Sequence, residues 1–147
     1  MGLWYEEFEP GRSFQTAVRT VTEGDIRGFA ALSGDRNPIH LDAAAARASG
    51  FPGPIAHGAL GVAVATGLIS QADLTQGTLI ALLEIRWAFK APVLAGDALS
   101  VRLQVVERQE TRSPDRGIVR LEASVVNQDG EVVQEGTLVE LLRRRPV

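Results

Sequence analysis

The chain has 147 residues, a net charge of −3 and no cysteine. That length suits one domain with its own core. The missing thiols exclude disulfide scaffolds, thiolate zinc or iron–sulfur sites and cysteine nucleophiles, and no basic excess points to nucleic acid.

The start, Met1-Gly2-Leu3-Trp4-Tyr5-Glu6-Glu7, lacks the basic head and apolar run of a signal peptide. The most apolar stretch, residues 55–69, is too short to span a bilayer and contains His57 and several glycines. A cytoplasmic protein with no membrane and no nucleic-acid partner is the expectation. Arg143, Arg144 and Arg145 form a basic patch that is either a solvated tail or a seat for a phosphate-bearing ligand.

No internal repeat or low-complexity linker divides the chain, so residues 1–147 are taken as a single domain. Residues 14–21 are predicted as a first strand. Thr22 then caps a short helix over residues 23–33, with Asp25 completing a weak capping box. Ile26, Phe29, Ala30 and Ser33 give it helical spacing. Asp42 caps a second helix through Ala43 to Ala48, which Gly50 stops, and residues 51–54 form a loop. Residues 57–70 carry no charge. A helix that is apolar all round is expected to be buried on all sides.

The second half alternates. Leu83, Ile85, Trp87 and Phe89 face one way, as do Leu99, Val101, Leu103 and Val105, and Val119, Leu121, Ala123 and Val125. Residues 133–142 follow less strictly. Residues 127–130, Asn-Gln-Asp-Gly, make a hairpin turn, and residues 109–117 a longer polar connection. The result is an antiparallel sheet with one dry face. One long sheet and one apolar helix predict an α+β layer structure, the sheet curling around the helix.

The run Gly34-Asp35-Arg36-Asn37-Pro38-Ile39-His40 places a carboxylate and an imidazole five residues apart across a stiff Asn-Pro turn. Two readings are open. Asp35 and His40 cap local structure, or they form an acid/base pair aimed into one cavity. Asn37 and Pro38 shape the turn, and Asn37 is also a candidate to orient His40. His57 reads as a helix-start histidine bonded to backbone. With only two histidines, no metal constellation is expected. Thr66 lies inside the apolar helix and either bonds back to its own helix or serves the site.

The segment from Phe29 to His40, with Ala46 six residues further on, resembles position for position the signature of the type-2, (R)-specific enoyl-CoA hydratases of the MaoC-like dehydratase family. Residues 54–58, Pro-Ile-Ala-His-Gly, and residues 89–93, Phe-Lys-Ala-Pro-Val, followed by Gly96-Asp97, look like that family too, so that the resemblance covers roughly residues 14–142. It implies a hot-dog fold, usually dimeric. It also implies hydration of a trans-2-enoyl-CoA to the (3R)-hydroxyacyl-CoA, or the reverse dehydration, with Asp35 and His40 carrying the catalysis.

Hydration of a conjugated double bond needs a base for the water and an acid for C2, and an imidazole exchanges a proton near neutral pH. Enolate charge on the thioester oxygen needs a donor. The Gly58 backbone N–H, at the start of the apolar helix, is assigned that role. In related hydratases a Ser commonly supports the motif Asp where Thr66 stands. No cofactor is implied beyond the CoA or carrier-protein thioester of the substrate itself. The competing expectations are the same chemistry on acyl carrier protein, a thioesterase on the same fold, and a non-catalytic acyl-binding module.

Overall fold

Residues 14–21 do not form the one continuous strand expected. The computed structural model, which describes residues 1–147, breaks it into β1 (Ser13–Gln15) and β2 (Arg19–Thr20). Both pair antiparallel with β4 (Ala98–Glu110). The break lies at Thr16, whose hydroxyl accepts the Val101 N–H at 2.9 Å and so stands in for a backbone carbonyl of the ladder.

Helix α1 (Glu23–Ser33) starts at the predicted capping box. The Thr22 hydroxyl accepts the Asp25 N–H, and the Asp25 carboxylate accepts the Thr22 N–H. Gly34 ends it at φ +80°, a conformation glycine adopts without cost. The Asn-Pro turn is more than a turn: it opens a further one-turn helix, α2 (Pro38–Leu41), with Asn37 as cap and Pro38 at the first position, where its missing N–H is no loss. Helix α3 (Ala43–Ala48) follows its Asp42 cap, as expected.

Helix α4 (Gly58–Gln71) lies against the sheet. It is not buried on all sides. Leu60, Gly61, Val64, Ala65, Leu68 and Ile69 are buried, whereas Ala59 and Ala63 lie exposed on the opposite stripe. Nothing in this chain covers them.

Four long strands complete the fold: β3 (Leu79–Phe89), β4, β5 (Arg116–Val126) and β6 (Val132–Arg143). The sheet order is β1-β4-β5-β6-β3, all antiparallel. The β4–β5 connection is shorter than predicted because the strands run on to Glu110 and resume at Arg116. The inner faces of β4 and β5, from Leu99 to Val105 and from Val119 to Val125, are as dry as the alternation demanded, and they pack with α4 and with Ile26 of α1 into one core. This is the hot-dog arrangement, a curved sheet wrapped around one long helix.

Strand β3 departs from the prediction. It pairs only with β6, so its other edge is free, and Leu83, Ile85 and Phe89 of its apolar row are exposed. Register shifts after Leu79 and Leu82 mark bulges that leave Leu82 exposed as well.

Candidate active site

The motif loop is built by short-range bonds. The Ser33 hydroxyl donates to the Phe29 carbonyl and accepts the Asp35 N–H at 3.1 Å. Asp35 Oδ1 accepts the Asn37 N–H at 3.2 Å, and Asn37 Oδ1 accepts the Ile39 N–H. Asn37 thus shapes the start of α2, and its side chain bonds within the turn rather than to His40. Asp35 caps the turn with one oxygen and leaves the other free, so the two readings of this residue are compatible.

The second wall arrives through Ile55. Its N–H donates to the Ile39 carbonyl, and its bridge to Leu94 ties the segment before α4 to the loop after β3. The Ile55 carbonyl lies 2.7 Å from His40 Nδ1. A carbonyl only accepts, so Nδ1 carries a proton, and in the neutral ring Nε2 then presents its lone pair. That free Nε2 stands 3.8 Å from Asp35 Oδ2. The gap is too long for a hydrogen bond, and it leaves one oxygen atom room to touch both groups. The His40 side chain is 8% exposed and that of Asp35 53%, so the pair has one buried and one open member.

His57 joins the two walls. Its Nε2 donates to the Asp35 carbonyl at 2.8 Å, the backbone role expected. Its ring stacks on His40 with centroids 3.8 Å apart and planes at 23°, while Phe29 packs on it at 5.0 Å. Its Nδ1 is buried without a partner. Asp35, His40 and His57 place possible ligand atoms within 4.8 Å of one another. Stacked imidazoles, however, point their in-plane lone pairs side by side, and each ring already spends one nitrogen on a carbonyl. Regrouping around a tetrahedral cation would break the stack.

No side chain caps α4, and the Gly58 N–H donates to nothing in the chain. A Cβ at Gly58 would lie 2.8 Å from the Phe89 ring, so glycine there admits an aromatic neighbour. Of the two readings of Thr66, the bond back to its own helix is present: its hydroxyl donates to the Ala63 carbonyl at 3.0 Å. In the Arg143–Arg145 patch, Arg144 pairs with Glu6 and Glu110 and Arg145 with Glu7, while Arg143 is exposed.

Gln134 escaped the sequence reading. It is a buried amide on β6 beside the first turn of α4, bonded to Trp87 and to the Gly58 carbonyl. The only signal was a polar residue where the strand alternation weakens.

Fold and site together define a hot-dog domain with an Asp–His pair beside the start of its central helix. Residues 7–127 match the family model described as MaoC like domain. The chain is 34% identical over 115 residues to the (R)-specific enoyl-CoA hydratase of Aeromonas caviae, spanning 78% of this chain and 81% of that protein. It is 34% identical over 136 residues to the 3-hydroxybutyryl-CoA dehydratase of Methylorubrum extorquens, spanning 91% and 80%. The crystal structure of the MaoC-like dehydratase from Rhodospirillum rubrum superposes with a TM-score of 0.91 at 33% identity, covering 99% of this chain and 100% of that one. The chain belongs to the MaoC-like family and is a hydro-lyase of the hydratase and dehydratase type.

Proposed function

We propose that the protein hydrates trans-2-enoyl-CoA to (3R)-hydroxyacyl-CoA, or runs the reverse dehydration, using Asp35 and His40 on a single water. The observation that carries this reading is the 3.8 Å approach of Asp35 Oδ2 to His40 Nε2, the ring nitrogen that the bond to the Ile55 carbonyl leaves free. A water between them loses a proton to the pair as its oxygen adds to C3. The enolate charge collects on the thioester oxygen, where the Gly58 N–H donates to it. A proton returns from the same pair to C2, so hydroxyl and hydrogen arrive on one face of the alkene. No cofactor enters, because the thioester itself acidifies C2. The names of the A. caviae and M. extorquens relatives support a CoA thioester as substrate. No helix is long and apolar enough to cross a membrane, and a cytoplasmic place goes with this reading.

Purified protein mixed with crotonyl-CoA is expected to lose enoyl absorbance without releasing free thiol. Thiol release would instead identify a thioesterase, and the absence of either signal across acyl-chain lengths would dispose of both.

The working unit in this reading is a homodimer. The free edge of β3 offers unpaired backbone groups beside exposed Leu82, Leu83, Ile85 and Phe89, and α4 turns Ala59 and Ala63 outward. A second copy added along this edge would cover them. Light scattering is expected to give about twice the 15.8 kDa chain mass, and a monomer at micromolar concentration would contradict it.

A further inference from the structure

We propose that Gln134 is a positioning residue for the reaction, clamping the first turn of α4 so that the Gly58 N–H meets the thioester oxygen. This rests on the hydratase reading above.

Gln134 is 3% exposed and belongs to the helix-facing side of β6. Trp87 Nε1–H lies 2.9 Å from its Oε1. An indole N–H only donates, so the amide oxygen must face Trp87 and the NH2 group must face the other way. There Nε2 donates to the Gly58 carbonyl at 3.3 Å. The relay therefore has a fixed direction, running from β3 through β6 to the opening residue of the helix.

Two glycines make the contact possible. A Cβ at Gly61 would lie 2.1 Å from Gln134 Nε2, so only glycine lets the amide lie against this turn. A Cβ at Gly58 would meet Phe89. The amide pins the peptide that follows Gly58, and the Phe89 ring confines its Cα. With its carbonyl held and its Cα face covered, Gly58 and the helix turn it opens have less room to shift, which steadies the end of α4 where the Gly58 N–H is presented. A leucine would fill the same space in the core without desolvating an amide, a cost that a buried polar group must recover through its bonds. One bond of Gln134 goes to the element that presents the proposed oxyanion donor, and the other, from Trp87 of β3, orients the amide to make it.

The test uses Gln134→Leu and Trp87→Phe in the full chain, with crotonyl-CoA as substrate. Gln134→Leu is expected to lower kcat by about tenfold or more, less than removal of a whole oxyanion donor, with KM changed by less than about twofold, since the N–H acts chiefly on the transition state. The pH profile of kcat should keep its shape, because the Asp35–His40 pair is untouched. Trp87→Phe frees the amide to rotate and should give a smaller fall of the same kind, and the double variant should be no slower than Gln134→Leu alone. A folded Gln134→Leu with kcat within about twofold of wild type overturns the proposal. If that variant does not fold, an unchanged kcat in Trp87→Phe overturns it. Hydrogen exchange at the Leu60 and Gly61 amides, which donate to the His57 carbonyl within this first turn, should speed up in either variant, and exchange at the wild-type rate also overturns the proposal. The exchange measurement needs no turnover, so it judges the clamp even if wild-type protein leaves crotonyl-CoA unchanged and the hydratase reading fails.

Discussion

Asp35→Asn and His40→Gln are each expected to cut turnover of crotonyl-CoA by at least ~100-fold, the scale of a lost acid/base group, while circular dichroism and the urea midpoint report a folded protein. The two substitutions fail for different reasons. In Asp35→Asn the amide oxygen can still accept the Asn37 N–H, as Asp35 Oδ1 does, so the turn survives. The NH2 group takes the place of Oδ2, 3.8 Å from His40 Nε2, so a donor that cannot accept replaces the carboxylate oxygen that would hold the water and take part in its proton transfer. In His40→Gln an amide NH2 can keep the bond to the Ile55 carbonyl, but no basic nitrogen remains. The stack on His57 is also lost, so this variant should be the less stable of the two, by about 1 kcal/mol. A folded Asp35→Asn protein turning over at a near-wild-type rate would remove the mechanism.

The elements that sequence revealed are those whose ends carry their own chemistry. Thr22, Asp25 and Gly34 bound α1 through side-chain caps and a left-handed glycine, all local events. The uncharged run marked α4 because no surface helix tolerates so few polar groups. Short-range signals did not show what distant strands decide. The alternation of β3 is equally consistent with a central strand and an edge strand, and only the order of the sheet exposes Leu83 and Ile85. Helix α2 was hidden because Pro38 reads as a breaker unless it falls at the first position. Asp35 and His40 were legible as a pair. Their meeting with His57 was not, since it depends on Ile55 bonding back to α2 from fifteen residues away. Gln134 needed both Trp87 and the α4 backbone in place before its amide had a use.

Glu140 leads to the second large effect, on stability rather than rate. It lies on β6 between Leu138 and Leu142, opposite Val119 of β5, and is 6% exposed. Its Oε2 is buried with no hydrogen-bond partner. Burial favours the uncharged acid and pushes its pKa from 4.5 up to about 7. The folded chain therefore holds this proton more tightly than the unfolded chain does. The stabilisation from the neutral form is complete below the unfolded value near 4.5, fades as pH rises through about 7, and is absent above it. The shift corresponds to about 3 kcal/mol between the two limits, a sizeable share of the stability of a domain this size. Glu140→Gln removes the titration while keeping shape and polarity. At pH 5 it should melt close to wild type. At pH 8 it should be more stable by about 1–3 kcal/mol, seen as a higher urea midpoint at an unchanged m-value. Urea unfolding of both proteins at pH 5, 6, 7 and 8 decides the matter. If the variant loses stability with rising pH as steeply as wild type, the slope comes from other groups and Glu140 is not the buried acid described here. If the slope flattens, a single carboxyl group on the dry face of the sheet accounts for the stability lost between pH 5 and 8.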